Sequence, residues 1–234
     1  MIQNYIMSIK QFFEENKYAY FSNVITKEEA KSLSDNLFER KKQGLLISDD
    51  QCPKSHAIYG DPLFDELLER LTTSLSHQIG VELLPAYTYA RLYEPGEKLL
   101  RHRDRPSCQI STTMTLGHSK KSDIWPIYLQ EDENKEEGIE AIIEPGDMVL
   151  YRGNQLCHWR EEYTGVWQTQ VFMHYVDANG PFKHLRYDRR KNLSHKSDEV
   201  WDKIKNKQLN EAKIQKDRNR PRLGTLTGPS KNIL

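Results

Sequence analysis

The sequence predicts a mainly β fold of the sandwich or jelly-roll kind, with N-terminal helices packed on one side. Two amphipathic helical segments come within the first 80 residues, and six short segments rich in β-branched and aromatic residues follow them. Turns containing Pro and Gly separate several of these segments, for example Glu94-Pro95-Gly96 and Glu144-Pro145-Gly146. Short strands at near-regular spacing are typical of sandwiches and jelly rolls.

The N-terminal elements follow from local signals. Residues Ser8 to Glu15 predict a short helix, and Tyr18 to Phe21 a short strand with aromatic and apolar faces. Thr26 has a carboxylate three residues later, at Glu29, which is the pattern of a capping box. A helix is therefore expected from this point to about Arg40.

The next stretch combines a loop and a second long helix. Residues 42 to 60 are of mixed polarity, and we expect a loop that covers part of the molecule. Asp61-Pro62 predicts a helix start, with the aspartate as N-cap and the proline in the first turn. The apolar stripe of this helix consists of Leu63, Leu67, Leu68, Leu71 and Leu75.

The predicted strands come after Gly80, where the period of the sequence changes. They are Tyr87 to Tyr93, Cys108 to Leu116, Ile124 to Leu129, Ile139 to Ile143, Met148 to Tyr151 and Trp167 to Val176. We expect three regions: a helical lead-in over residues 1–84, a β core over 85–187, and a basic C-terminal extension over 188–234 that is partly flexible. Between 183 and 234 there are fifteen Lys and Arg against six Asp and Glu, so the rest of the chain is acidic.

Composition excludes several classes of protein. No apolar run approaches the roughly 18 residues of a membrane span, and the first ten residues lack the pattern of a secretion signal. The three cysteines, Cys52, Cys108 and Cys157, fit neither a disulfide framework nor a zinc spacing. These features predict a cytoplasmic protein without a membrane partner.

The chemistry centres on the His102-x-Asp104 pair. On an extended segment, residues two apart point the same way, so one imidazole and one carboxylate can converge on an ion. His158, which follows the predicted strand Met148 to Tyr151 and a further turn, is the candidate third ligand. Two histidines and one carboxylate on one face of an octahedron leave three positions open, which suits Fe(II), a chelating cosubstrate and dioxygen.

The run Leu92-Tyr93-Glu94-Pro95-Gly96, then His102-x-Asp104, Pro145-Gly146-Asp147 and His158, resembles the Fe(II)/2-oxoglutarate-dependent dioxygenases of the prolyl-4-hydroxylase-like group. The resemblance covers roughly residues 85 to 176. It implies a double-stranded β-helix, which is a cupin-like jelly roll. It also implies Fe(II), 2-oxoglutarate and dioxygen as cofactors, with ascorbate as a candidate accessory reductant.

The same resemblance implies roles for single residues. It gives His102, Asp104 and His158 as metal ligands and Tyr93 as a contact of 2-oxoglutarate. The retained Asp104 favours hydroxylation, since halogenating relatives replace this carboxylate by a small residue. The expected reaction is hydroxylation of a C–H bond of a peptidyl or small-molecule substrate.

The sequence departs from the family where the far carboxylate of 2-oxoglutarate is bound. The family places an Arg or Lys about nine to twelve residues after the distal histidine, but here the run is Trp167-Gln168-Thr169-Gln170. A buried dicarboxylate needs a strong partner. Arg160 is the first candidate, Arg91 the second, and Gln170 offers a neutral hydrogen bond. Pairing of Arg160 with Glu161 or Glu162 at the surface is the alternative.

Two other functions stay open at this stage. One is a cupin-type metalloenzyme that does not use 2-oxoglutarate, although such sites usually draw on three or four histidines. The other is a non-catalytic β-helix module that contacts nucleic acid through the basic tail, at Arg218 to Arg222. Among the other histidines, His174 is expected to be structural.

Overall fold

The computed structural model describes residues 7–132 and 134–193, in which three α-helices and ten β-strands are found. The helices are α1 (Ile9–Asn16), α2 (Lys27–Lys42) and α3 (Pro62–Ile79). The strands are β1 (Tyr18–Phe21), β2 (His56–Tyr59), β3 (Leu83–Tyr93), β4 (Leu99–His102), β5 (Ile110–His118), β6 (Ile127–Gln130), β7 (Ile139–Ala141), β8 (Met148–Tyr151), β9 (Cys157–Arg160) and β10 (Gln168–Asp177). No helix of the described residues is long and apolar enough to cross a membrane.

The strands form two antiparallel sheets. The larger sheet has the order β1-β8-β5-β10-β3-β2, and the smaller one has the order β4-β9-β6-β7. Apart from the pairs β2–β3 and β6–β7, neighbouring strands are not consecutive in the chain, as in jelly rolls and double-stranded β-helices. The predicted fold class is confirmed.

Side-chain caps begin all three helices. The hydroxyl of Ser8 caps α1 within a complete capping box, and the hydroxyl of Thr26 accepts from the backbone N–H of Glu29 at the start of α2. Asp61 accepts from the N–H of Leu63 at the start of α3. Each cap satisfies a backbone donor that the first turn of a helix leaves unpaired. The predicted starts of α2 and α3 are confirmed.

Helices α2 and α3 pack on the larger sheet. Leu37 of α2 and Leu68 of α3 are fully buried, and they belong to the same apolar cluster as Ala90, Met114 and Val171 of the sheet. Burial of a leucine side chain stabilises a fold by roughly 2 kcal/mol. The helices therefore form a supporting layer, and the sheet carries the site.

Several predicted boundaries were wrong. Strand β3 begins at Leu83, four residues earlier than expected, and the segment 42–60 contains strand β2, which pairs with β3. Strands β4 and β9 were not predicted at all. Both strands are only four residues long and contain histidine and arginine, so their pairing with neighbouring strands defines them, β4 with β9 and β9 with both β4 and β6.

The chain after β10 packs back onto the core. The guanidinium of Arg190 donates to Asp65 on α3 at 3.3 Å and to the carbonyl of Ala86 on β3 at 3.1 Å. The carboxylate of Asp188 accepts two hydrogen bonds of 2.8 Å from Arg105 and one of 2.7 Å from Tyr59. Residues 194–234, with most of the predicted basic extension, lie outside the described residues.

Candidate metal centre

Two histidines face each other across the strand pair β4 and β9. His102 and His158 are register partners in this antiparallel pair, and their ring centroids are 4.2 Å apart. Opposite residues of an antiparallel pair carry their side chains on the same face. The pairing of two strands far apart in sequence thus places both imidazoles at one point.

Each imidazole is oriented by the backbone carbonyl of the residue two positions before it in the chain. The Nδ1 atom of His102 lies 2.8 Å from the carbonyl of Leu100, and that of His158 lies 3.1 Å from the carbonyl of Leu156. A carbonyl only accepts, so Nδ1 carries the proton in both rings. The Nε2 lone pairs are therefore available to a metal ion, which is the usual arrangement of metal-binding histidines.

Asp104 completes the group. Its Oδ1 atom lies 3.7 Å from Nε2 of His102 and 3.5 Å from Nε2 of His158. One ligand atom of each residue lies within 4.8 Å of the others. The N–H of Asp104 donates to the carbonyl of Gly153 at 2.8 Å, which fixes the backbone of the ligand. The structure thus brings the three predicted ligands together.

The protonation states also suit a cation. Burial acts to raise the pKa of Asp104, but the adjacent His158, the charge of His174 and the Ser111 hydroxyl outweigh burial and hold this pKa well below its usual range. Burial, followed by the neighbouring His158, lowers the pKa of His102. An ionised carboxylate and a neutral imidazole are the forms that bind metal ions.

The three residues line a cavity of about 320 Å³. Tyr93 is part of the wall, together with Tyr151, Leu99 and Ile127. Arg160 and Gln170 lie outside this wall. A cosubstrate bound at the three ligands would therefore have to extend beyond these wall residues to contact Arg160.

Arg160 is fully buried and has no acidic partner. Its guanidinium donates to the carbonyl of Trp125 and, at 3.4 Å, to the hydroxyl of Thr113, while its Nε atom has no hydrogen-bond partner. Within residues 7–132 and 134–193, no carboxylate lies within 4.0 Å of this guanidinium. The surface pairing with Glu161 or Glu162 is therefore wrong, since β9 directs Arg160 into the core.

A buried guanidinium without a counter-ion is costly. Its charge is close enough to Tyr93 and Tyr151 to lower the pKa of both phenols, against the larger effect of burial. Burial also lowers the pKa of Arg160 itself. A ligand carboxylate would supply the counter-ion that Arg160 lacks among the described residues.

Arg91, the second candidate, is already paired. Its guanidinium donates to Asp49 at 2.5 Å and lies 2.9 Å from the sulfur of Cys52. Its Nη1 atom is 3.4 Å from the hydroxyl of Tyr93. A cosubstrate carboxylate could bind Arg91 only in competition with Asp49. Arg160 has no such competitor among the described residues.

The two glutamines of β10 differ in their partners. The amide of Gln170 is held between Thr113 at 3.1 Å and Thr115 at 2.9 Å. Gln168 accepts from the N–H of Trp125 at 2.9 Å, but its buried Nε2 atom has no partner. Gln168 stands ten residues after His158, inside the window where the family has a basic residue. Gln170, twelve residues after His158, lies in the same window, so the sequence did not distinguish the two glutamines, and Gln168 was not predicted.

Gln51 also reaches the metal ligands and was not predicted. Its Nε2 atom lies 3.3 Å from Nε2 of His102, and its Oε1 atom accepts from Arg91 at 3.3 Å. Asp49, on the same segment, binds Arg91 and the hydroxyl of Tyr89. The segment expected to cover part of the molecule therefore forms part of the cavity wall.

His174 is held by a hydrogen bond of 3.0 Å between its Nδ1 atom and the hydroxyl of Ser111. It lines the cavity, and with Asp104 and Cys108 it forms a second group of close donor atoms. The sulfur of Cys108 is 3.0 Å from the hydroxyl of Tyr87. Burial raises the pKa of this thiol to about 12, so we assign no ligand role to it.

Comparison with known proteins gives structural matches alone. No protein-family model and no curated sequence matches the chain. A prolyl-4-hydroxylase from Pseudomonas putida superposes with a TM-score of 0.59 at 14% identity, over 72% of this chain and 97% of that one. HygX from Streptomyces hygroscopicus, with nickel, 2-oxoglutarate and hygromycin B bound, gives 0.56 at 14% identity, over 74% and 88%.

A third similar structure is a prolyl hydroxylase from Trichoplax adhaerens in complex with a hypoxia inducible factor peptide fragment. Its TM-score is 0.56 at 14% identity, over 79% of this chain and 92% of that one. All three matches cover at least 72% of each chain. The chain therefore shares its jelly-roll fold with these three structures.

Proposed function

We propose that this protein is an Fe(II)- and 2-oxoglutarate-dependent oxygenase. The observation that carries the proposal is the convergence of His102, Asp104 and His158 in one cavity, with the proton of each histidine on the nitrogen that faces away from the site. Two imidazoles and a carboxylate with open positions are the typical ligands of non-haem Fe(II) oxygenases.

The proposed reaction converts a C–H bond, 2-oxoglutarate and dioxygen into an alcohol, succinate and carbon dioxide. The ferrous ion with its keto-acid cosubstrate supplies the oxygen-activating chemistry. The roles of the protein are to hold the ligands, orient the cosubstrate and exclude water. Ascorbate is proposed as an accessory reductant for the metal.

The cosubstrate is proposed to be anchored at its far carboxylate by Arg160. The guanidinium lacks an acidic partner among the described residues, and Nε of Arg160 and Nε2 of Gln168 are buried donors without acceptors. Both side chains hydrogen-bond the backbone of Trp125, Arg160 at its carbonyl and Gln168 at its N–H, so both lie close to that residue. A carboxylate between them would accept from both, and Tyr93 would flank it.

The proposed substrate is a peptidyl side chain or a small molecule. The similar structures include a prolyl hydroxylase with a peptide and HygX with hygromycin B, so this fold accommodates both classes. In this chain, Asp49, Gln51, Arg103 and Arg105 line the cavity and are at least partly exposed to solvent. We infer that these residues contact the substrate.

Conversion of 2-oxoglutarate to succinate tests the proposal. We expect purified protein with Fe(II), ascorbate and dioxygen to form succinate slowly even without substrate, and faster with the correct one. The control is His158→Ala, which should lower succinate formation to background because it removes a metal ligand. Equal succinate formation by both proteins would overturn the assignment.

A further inference from the structure

The two carboxylate oxygens of Asp104 have different surroundings. Oδ1 lies closest to the two histidines, at 3.7 and 3.5 Å from their Nε2 atoms. Oδ2 instead accepts a hydrogen bond of 2.6 Å from the hydroxyl of Ser111. A carboxylate that binds a metal through both oxygens takes up an extra position, so the open positions of the site depend on what holds Oδ2 away.

Ser111 is itself fixed in place. It is fully buried on β5, opposite His174 of β10, and its Oγ atom lies 3.0 Å from Nδ1 of His174. The Ser111 hydroxyl has one proton to donate. Its strongest hydrogen bond is the short one to the charged carboxylate of Asp104. His174 must then donate from Nδ1 to Ser111. The result is a chain of hydrogen bonds from His174 to Ser111 to Asp104.

Gly153 leaves the space that this chain of bonds needs. A Cβ atom at position 153 would come closer than 3.0 Å to Oδ2 of Asp104, to the carbonyl oxygen of Cys108 and to Oγ of Ser111. The carbonyl of Gly153 also accepts from the N–H of Asp104. A side chain at this position would therefore displace the carboxylate, the hydroxyl or both.

We propose that Ser111 is the positioning residue that holds Asp104 as a one-oxygen metal ligand, with His174 behind it and Gly153 giving it room. This inference rests on the proposed function, since it assumes that Asp104 binds a metal. Groups that hydrogen-bond metal ligands commonly change metal affinity by roughly 10- to 100-fold when they are removed. They also fix the number of positions left for other ligands.

Anaerobic titration with Co(II), followed by visible absorption, tests the inference without relying on turnover. Ser111→Ala removes one oxygen atom and creates no clash. We expect it to weaken Co(II) binding by roughly 10- to 100-fold. We also expect its visible spectrum to shift, because a freed Oδ2 can bind the ion and change the coordination.

The matched control is Thr112→Val on the same strand. Thr112 is equally buried, and its hydroxyl contacts the backbone of Met173 instead of the site. We expect Thr112→Val to keep the wild-type spectrum and Co(II) affinity within about 3-fold, even if its melting temperature falls as far as that of Ser111→Ala. His174→Leu, the second variant, should weaken binding in the same direction but less, and it keeps the test decisive if Ser111→Ala does not fold.

The outcomes separate the two proposals. If wild-type protein binds no Co(II), the metal site itself fails, and the proposed function fails with it. If wild-type protein binds Co(II) and Ser111→Ala matches it in affinity and spectrum, the role of Ser111 is overturned while the metal site stands. Equal losses of affinity in Ser111→Ala and Thr112→Val would show a general structural effect and would also overturn the role of Ser111.

Discussion

Arg160 follows His158 by two residues on β9, and both side chains are buried. One short strand therefore carries a proposed metal ligand and the proposed anchor of the cosubstrate. The arrangement replaces the basic residue expected on the last core strand, where this chain has Gln168. Because extended residues two apart point the same way, the metal end and the far end of a dicarboxylate can be bound from one strand.

Replacement of Arg160 tests this anchor. Arg160→Met should weaken 2-oxoglutarate binding to Co(II)-loaded protein by roughly 10- to 100-fold, because a charge-assisted hydrogen bond contributes about 1.5–3 kcal/mol. Arg160→Lys should lose less, since the charge remains but the planar fork does not. Calorimetric titration with 2-oxoglutarate measures both.

Arg91→Met is the control for Arg160. Arg91 is also buried and close to Tyr93, but Asp49 already neutralises it. We expect a smaller loss of 2-oxoglutarate affinity than in Arg160→Met. A larger loss in the Arg91 variant would make Arg91 the anchor and contradict the assignment.

A negative charge introduced at Gln168 tests the proposed position of the far carboxylate of 2-oxoglutarate. In Gln168→Glu, a carboxylate beside Arg160 would pair with the guanidinium and repel the cosubstrate, so we expect at least roughly 10-fold weaker 2-oxoglutarate binding. Gln168→Met keeps the size without the charge and should lose only about 3-fold, as expected for one neutral hydrogen bond. Equal affinities of the two variants would place the far carboxylate elsewhere.

Gln51 should compete with the metal ion. Its amide donates to the nitrogen of His102 that a metal would use. Removing a hydrogen bond worth about 0.5–1.5 kcal/mol should tighten Co(II) binding by roughly 2- to 10-fold in Gln51→Ala. The same anaerobic titration measures this change. Weaker binding by the variant would mean that Gln51 supports the ion instead.

Asp188 should contribute strongly to stability. Its carboxylate joins Arg105, the neighbour of Asp104, to Tyr59, and it is largely screened from solvent. We expect Asp188→Asn to lower the free energy of unfolding by about 1–3 kcal/mol, since it weakens a partly buried charged network. Urea denaturation measures this value.

The control for Asp188 is an exposed ion pair. Asp35 on α2 pairs with Lys31, and both side chains are mostly solvent-exposed. Such pairs contribute less than about 1 kcal/mol, so Asp35→Asn should unfold almost like the wild-type protein. Similar losses in the two variants would contradict a special role for the Asp188 contacts.

The predictable part of the fold followed from local signals. Caps at Thr26 and Asp61 placed two helices, and strands such as Met148 to Tyr151 were found because they are apolar and bounded by turns. Strand β4, with the sequence Leu-Leu-Arg-His, carries no such pattern. Its extended form depends on pairing with β9, which lies more than fifty residues away, and no local rule describes that pairing.

In the candidate site, too, local sequence signals predicted some residues, while others depend on long-range packing. His102 and Asp104 are close in sequence, so their convergence could be predicted, and His158 followed from the expected order of ligands. Gln51 and Ser111 are ordinary polar residues, and their contacts depend on how distant segments pack. The role of Gly153 could not be predicted from the sequence, which shows only that it lies in a turn. A Cβ atom is excluded at this position because the folded chain brings Asp104 close to it.

The central claim is that His102, Asp104 and His158 bind Fe(II) with 2-oxoglutarate chelated to it. Anaerobic addition of Fe(II) and 2-oxoglutarate to the protein tests this claim most directly, because the chelate gives a visible metal-to-ligand charge-transfer band. We predict this band in the wild-type protein at one equivalent of iron, and its loss in Asp104→Ala. Absence of the band in folded wild-type protein, or an unchanged band in Asp104→Ala, would contradict the account.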